Sequence, residues 1–142
     1  RYTRETFLYK MLNAALLRQD VKMLCKFHFF IKDIHMQIEQ FHSLYKQSLK
    51  DRTLTVFRGV CMLTKDFEEK IRKKKNDLIA FDNFLSTSLK EKVARGYAIG
   101  SKEDTKTERV LLRITINPGE LQRPFADITH LSEFRMEDEI LF

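Results

Sequence analysis

The sequence predicts an α+β fold in which an N-terminal helical subdomain precedes a mixed β-sheet. The first 50 residues contain neither glycine nor proline, and their apolar residues recur at the three- and four-residue spacing of amphipathic helices. From residue 53 onward, short runs of β-branched and aromatic residues alternate with turn-forming residues, which is the pattern of strands. We therefore expect one domain over residues 1–142, with helices at 1–52 and a β core at 53–142.

Two amphipathic helices are predicted in the helical subdomain. The first covers about residues 3–18. The second begins after Asp20, whose side chain is a good N-cap, and continues to about Leu49. Its predicted apolar stripe consists of Phe27, Ile31, Ile34, Ile38, Phe41 and Tyr45.

Three histidines, His28, His35 and His42, share one face of this second helix because they are spaced by seven residues. Their backbones are about 10.5 Å apart at each step, which is too far for one metal ion to bridge. They predict a polar flank of the helix, and His130 is interpreted in the same way.

The β core is predicted as short strands joined by turns and two short helices. Thr64 is expected to cap the first helix, which reaches the basic run 72–75 at a solvated end, and Ser88 with Glu91 matches a capping box for the second. Strands are predicted at 53–59 and 110–116, and a short one interrupted by Pro124 at 121–128, after an Asn-Pro-Gly turn at 117–119.

The composition is that of a globular protein with a basic surface. Hydrophobic residues make up 43% and charged residues 32% of the chain, and the net charge is +6. This charge favours anionic partners but does not choose among nucleotides, acidic proteins and nucleic acid. No zinc, RNA-recognition or helix-turn-helix pattern supports nucleic-acid binding.

No apolar run reaches the roughly 20 residues of a membrane span. The sequence leaves the oligomeric state open.

The two cysteines, Cys25 and Cys61, form neither a CxxC motif nor a disulfide framework. A reducing compartment such as the cytoplasm is therefore favoured. The charged first residues, 1–5, do not form a signal peptide. Because the chain begins with arginine, we expect it to be part of a longer protein.

Two glutamates, Glu137 and Glu139, lie two positions apart before the apolar end of the chain. In an extended strand they would project to the same face about 6.5–7 Å apart, with Asp138 turned the other way. Like charges held this close indicate a bound cation or a site that needs two carboxylates. A solvated start of a strand is the alternative interpretation.

Three segments, in this order, resemble the active-site motifs of mono-ADP-ribosyltransferases. They are Phe57-Arg58-Gly59, Phe84-Leu85-Ser86-Thr87-Ser88 and Glu137-Asp138-Glu139-Ile140-Leu141. They are similar to the arginine, serine-threonine-serine and glutamate-x-glutamate motifs of the arginine-specific branch, which includes vertebrate ecto-enzymes and binary actin-modifying toxins. The match covers about residues 53–142, and the two helices resemble the region that precedes it. Because members of the family continue with further strands, the resemblance implies that the C-terminal strands are missing from this chain.

The resemblance implies NAD as co-substrate, no metal, and an acceptor protein that presents an arginine. Arg58 would bind the pyrophosphate, and Gly59 would contact the nicotinamide amide. Ser86 would orient Glu139, whose carboxylate stabilises the oxocarbenium-like ribose as nicotinamide leaves. Glu137 would clamp the acceptor guanidinium and assist its loss of a proton. The implied catalytic residues are thus Arg58, Ser86, Glu137 and Glu139, and the NAD-binding residues are Arg58, Gly59, Ser86 and Glu139.

The resemblance also suggests roles for residues outside the three motifs. The loop 129–136 would meet the target protein with Phe134 as its hydrophobic probe, and Tyr97 would line the nicotinamide pocket or, equally, be a buried helix aromatic. Thr87 is interpreted as structural. Two other functions stay open: an NAD glycohydrolase with water as acceptor, and a non-catalytic interaction module.

Overall fold

A computed structural model of the chain describes residues 7–50, 52–81, 83–99, 106–121, 123–131 and 135–142. Four helices and five strands follow one another in these ranges, with 3₁₀ turns at Arg72–Lys74 and Arg135–Glu137. The helices are α1 (Phe7–Arg18), α2 (Val21–Leu49), α3 (Thr64–Lys70) and α4 (Glu91–Ile99). The strands are β1 (Leu54–Leu63), β2 (Ser86–Ser88), β3 (Thr107–Ile116), β4 (Ala126–Asp127) and β5 (Glu139–Leu141).

The beginning of α2 is the one that its sequence predicts. The Met23 backbone N–H donates a hydrogen bond to the Asp20 side chain at 3.1 Å, which satisfies one of the donors left open at a helix start. The helix ends after Leu49 with Lys50 in a left-handed conformation, at φ 47°. Ile34 and Ile38 are buried as expected, but Phe41 is 37% exposed. The predicted start of α1, residues 3–6, lies outside the described residues.

The three histidines of α2 have different environments. His28 contacts the Cys25 carbonyl on its own helix, and His35 pairs with Glu39 at 3.3 Å. His42 is not a solvated flank, because its Nδ1 lies 3.0 Å from the Phe125 carbonyl oxygen and 3.2 Å from the Phe125 nitrogen. His42 therefore joins α2 to the segment that enters β4. Among the described residues, no group of three or more His, Cys, Asp or Glu is arranged to hold a metal ion.

The five strands form one sheet in the order β3-β1-β2-β5-β4. The predicted α+β fold is confirmed, but the sheet is not mixed, since all pairings between the described strands are antiparallel. Strand propensity reports which residues are extended and not the direction of their neighbours, which explains this error. The strand that carries Glu139, β5, has a partner on each side.

Strand β1 and the helix after it differ from their predictions: α3 ends at Lys70, before the predicted end in the basic run, where a 3₁₀ turn covers Arg72–Lys74. β1 pairs with β3 over ten residues, from Leu54↔Ile116 to Leu63↔Thr107, so it continues beyond the predicted end at residue 59. Thr64 is the first residue of α3 and not its cap, and its hydroxyl donates to Glu108 Oε1 at 3.3 Å. The basic run that follows is exposed, as the sequence predicts.

Two apolar clusters form the core, and β5 contributes to both. One cluster joins α1 and α2 to the β4–β5 side of the sheet: Leu12, Ile34, Ile38, Ala126, Ile128 and Leu141. The other consists of Val56, Ile116, Phe125 and Ile140. Because side chains alternate along a strand, the adjacent residues Ile140 and Leu141 reach different clusters. This double burial holds β5 in place.

Two further predictions concern the environment of the protein. Within the described ranges, no helix combines the length and the apolar character needed to cross a membrane. Cys25 is exposed and Cys61 half-buried, and both are free thiols. The compartment stays a prediction.

Candidate active site

Strands β2 and β5 bring Ser86 and Glu139 together. The register pairs Ser88 with Glu139 and Ser86 with Leu141, so Ser86, Ser88 and Glu139 lie on one face of the two strands. The Ser86 hydroxyl donates a hydrogen bond to Glu139 Oε1 at 2.5 Å. Glu139 is only 5% exposed. The result is a buried carboxylate oriented by a neighbouring hydroxyl, as the sequence predicted for this pair.

Arg58, on β1, is connected to Ser86 through the main chain of that serine. This strand is the neighbour of β2 through the pair Phe57↔Ser88, and Arg58 Nη1 donates to the Ser86 carbonyl oxygen at 2.7 Å. The guanidinium, the hydroxyl and the carboxylate thus come from three adjacent strands and are connected through Ser86. Thr87 belongs to the opposite face, where its buried hydroxyl donates to the Ile140 carbonyl at 2.9 Å.

Gly59 has a packing function. A Cβ atom at this position would lie 1.6 Å from the Ala94 carbonyl oxygen and 2.8 Å from the Ala98 nitrogen. Only glycine permits such a close approach between β1 and the backbone of α4. This contact sets the position of α4 on the sheet. The contact of Gly59 with nicotinamide, which the resemblance implies, stays a prediction.

The acidic segment is a turn and not an extended strand. Glu137 ends the 3₁₀ turn, Asp138 has a φ of 45°, and Glu139 begins β5. A left-handed residue between the two glutamates removes the two-residue alternation that the sequence suggested, so the strand pleat does not set the direction of Glu137. Aspartate tolerates this conformation better than most residues.

The Ser88 hydroxyl fastens this turn to β2. It donates to the Glu137 carbonyl oxygen and accepts a hydrogen bond from the Lys90 backbone N–H at 2.9 Å. Because α4 begins at Glu91, Ser88 is not the residue immediately before the helix. The predicted capping box is therefore wrong, and Ser88 connects the acidic turn with the start of α4.

Lys90 makes the second connection to the turn. Its ammonium group donates to the Met136 carbonyl oxygen at 3.0 Å and pairs with Asp138 Oδ2 at 2.9 Å. The Leu89 N–H also donates to the Asp138 carbonyl oxygen at 3.0 Å. The main chain around Glu137 is thus held on the β2–α4 side by backbone and side-chain contacts.

Tyr97 is the site residue whose role the sequence did not reveal. It is 55% exposed, so it is not a buried helix aromatic, and its hydroxyl donates to Glu137 Oε1 at 2.7 Å. The contact spans 40 positions of the chain. Ala94 and Ala98 indicate which face of the helix packs closely, but no local pattern indicates Glu137 as the partner of Tyr97.

The predicted target loop is described only in part. Phe134 and residues 132–133 of the predicted target loop are outside the described residues. An apolar groove of about 1010 Å³ runs between residues 78–81 and 83–85, the end of β3 and Phe142. Arg58, Ser86, Glu137 and Glu139 do not line this groove, so it is separate from the site.

The fold and the site together define a class of protein: an α+β domain in which an arginine and a glutamate from two strands are both hydrogen-bonded to a serine on the strand between them. A family model described as ADP-ribosyltransferase exoenzyme matches residues 1–142, and the chain belongs to this family. No curated protein and no solved structure matches the chain. Family membership makes the protein an ADP-ribosyltransferase that uses NAD as co-substrate.

Proposed function

We propose that the protein transfers ADP-ribose from NAD to an arginine side chain of an acceptor protein. The observation that carries the proposal is the buried Glu139 carboxylate, oriented by the Ser86 hydroxyl beside Arg58. Carboxylates with a fixed orientation stabilise positive charge that develops on a sugar carbon.

The first half of the reaction is the loss of nicotinamide. The bond between ribose C1′ and the nicotinamide nitrogen breaks, and its electron pair leaves with nicotinamide, which becomes neutral. The ribose carbon then has oxocarbenium character. Glu139 faces this charge and accepts a hydrogen bond from a ribose hydroxyl, and its burial strengthens the electrostatic interaction because little water screens it.

Arg58 suits the pyrophosphate of NAD. A guanidinium has five N–H donors in a planar fork that matches phosphate oxygens, and one of these donors is fixed on the Ser86 carbonyl. The contact to Ser86 gives the arginine a defined position relative to Glu139. The basic net charge of the chain also favours a substrate that contains a negatively charged pyrophosphate.

Glu137 suits the acceptor. It is half-exposed, whereas Glu139 is buried, so an incoming side chain can reach it. A protonated guanidinium is a poor nucleophile. A carboxylate that binds it can align one nitrogen with C1′ and accept the proton released as the new C–N bond forms. The products are ADP-ribosylated arginine, nicotinamide and one proton.

The test uses the full-length protein with labelled NAD and an arginine-containing acceptor, measuring both label transfer and nicotinamide release. Glu139→Gln should lower both rates by about 10²–10³, the usual effect of removing a group that stabilises transition-state charge. Glu137→Gln should lower transfer much more than nicotinamide release. Glu69→Gln, an exposed carboxylate on α3, is the matched control and should leave both rates unchanged.

Each of the other functions has its own result in this experiment. Nicotinamide release without transfer to any arginine acceptor would identify an NAD glycohydrolase. Absence of both reactions together with no saturable NAD binding in calorimetry would indicate a non-catalytic interaction module. Equal rates in wild type and Glu139→Gln would contradict the assignment of Glu139.

A further inference from the structure

The Glu137 carboxylate is held by a residue from a different element. Tyr97, on α4, donates its hydroxyl hydrogen bond to Glu137 Oε1 at 2.7 Å. The backbone of the acidic turn is separately fixed, because Ser88 donates to the Glu137 carbonyl and Leu89 donates to the Asp138 carbonyl. The turn contacts therefore fix where the side chain of Glu137 starts, and Tyr97 fixes where its carboxylate lies.

The helix that presents Tyr97 has a defined position. Ala94 and Ala98 are buried at 2% and 6% exposure, and the Ala94 carbonyl lies directly over Gly59 of β1. Tyr97 itself is 55% exposed, so its ring lies at the surface while the helix beneath it is packed. A hydroxyl on a packed helix can orient a partner more accurately than one on a loop.

We propose that Tyr97 is a positioning residue that orients the Glu137 carboxylate toward the acceptor and so favours transfer over hydrolysis. This inference rests on the proposed function. By occupying Oε1, the Tyr97 hydroxyl directs Oε2 to the acceptor guanidinium. A protein side chain must be aligned with C1′ to react, whereas water is small and abundant, so the loss of alignment lowers transfer more than hydrolysis.

The experiment is Tyr97→Phe in the full-length protein, with transfer to an arginine acceptor and total nicotinamide release measured in the same reaction. Phenylalanine keeps the ring and removes only the hydroxyl. The ratio of transfer to hydrolysis should fall about tenfold, in line with the loss of one hydrogen bond to a charged group. Tyr45→Phe removes a tyrosine hydroxyl on α2 and is the matched control, with the wild-type ratio expected.

A double-mutant cycle with Glu137→Ala separates a positioning role from a general structural one. If Tyr97 acts through Glu137, adding Tyr97→Phe to Glu137→Ala should lower transfer no further. An unchanged ratio in Tyr97→Phe, or an equal loss in the Glu137→Ala background, would overturn the inference. A wild-type protein that neither transfers ADP-ribose nor releases nicotinamide would instead refute the proposed function, and that result appears before any Tyr97 variant is made.

Discussion

The Ser86 hydroxyl and the Glu139 carboxylate lie 2.5 Å apart although 53 positions of the chain separate them. The pairing of β2 with β5 creates this contact, because Ser88 opposite Glu139 places Ser86 one diagonal step away. The orientation of the buried carboxylate therefore depends on the register of two three-residue strands.

Removing the Ser86 hydroxyl should impair the reaction without unfolding the protein. In Ser86→Ala, Glu139 loses a hydrogen bond that contributes about 1.5–3 kcal/mol when the acceptor is charged, so nicotinamide release should fall roughly 10- to 100-fold. Steady-state kinetics with NAD measure the effect. Ser48→Ala, which removes a hydroxyl bound to the Tyr45 carbonyl on α2, is the control, and an equal loss in both variants would contradict the role of Ser86.

Enlarging Gly59 should displace α4. In Gly59→Ala the new methyl group would overlap the Ala94 carbonyl at 1.6 Å, and backbone atoms cannot move as easily as a flexible side chain. We expect the free energy of unfolding to fall by about 1–3 kcal/mol or more, as for overpacking in a core. Gly96→Ala in α4 is the control, since a Cβ atom there would meet no atom of the described residues within 4 Å other than those of its chain neighbours and its own helix backbone. It should be neutral or stabilise α4 by roughly 0.5–1 kcal/mol. Equal stability of the two variants in urea denaturation would argue against the close approach.

The left-handed conformation of Asp138 can be tested with two substitutions. Both Asp138→Gly and Asp138→Val remove the ion pair with Lys90, so their difference reports the backbone. Glycine adopts a φ of 45° easily, whereas a β-branched residue pays roughly 1–2 kcal/mol there. Urea denaturation should therefore show Asp138→Val to be less stable than Asp138→Gly. The opposite order would mean that the turn has an extended conformation at this residue.

The phenol of Tyr45 should make stability fall at alkaline pH. Burial, and secondly the negative charge of Asp127, raise the pKa of Tyr45 above its ordinary value of 10.0. A raised pKa in the folded state means that this stabilisation is complete below pH 10 and is lost as the pH rises toward the folded pKa. Tyr45→Phe cannot ionise, so its free energy of unfolding should decrease less than that of the wild type above about pH 10. Parallel pH profiles for the two proteins would exclude this linkage.

The sequence predicted those features that local patterns determine. Asp20 marked the start of α2, and the ordered motifs around Arg58, Ser86 and Glu139 indicated residues that the sheet does bring together. The features that the sequence did not predict depend on contacts between distant segments. The hydrogen bond from Tyr97 to Glu137 joins residues 40 positions apart. The packing of α4 on Gly59 joins a helix to a strand that lies much earlier in the chain. No short window of sequence contains either contact.

The acidic turn also shows that contacts from other segments can override a local sequence pattern. Glu137 and Glu139 have the spacing of a strand pair, but the positive φ of Asp138 breaks the extended geometry. This conformation is supported from outside the turn, by Ser88, Leu89 and Lys90. Local propensity therefore predicted an extended conformation for the acidic segment, where the structure has a turn.

The position of β5 links the activity to the integrity of the whole molecule. Ile140 and Leu141 anchor opposite clusters directly beside Glu139, so detaching this strand would open both halves of the interior at once. Loss of activity on heating should then coincide with global unfolding. We expect no partly unfolded form in which the rest of the fold remains but Glu139 has left its position. For a cell, this would make the destruction of the enzyme by a protease an all-or-none event.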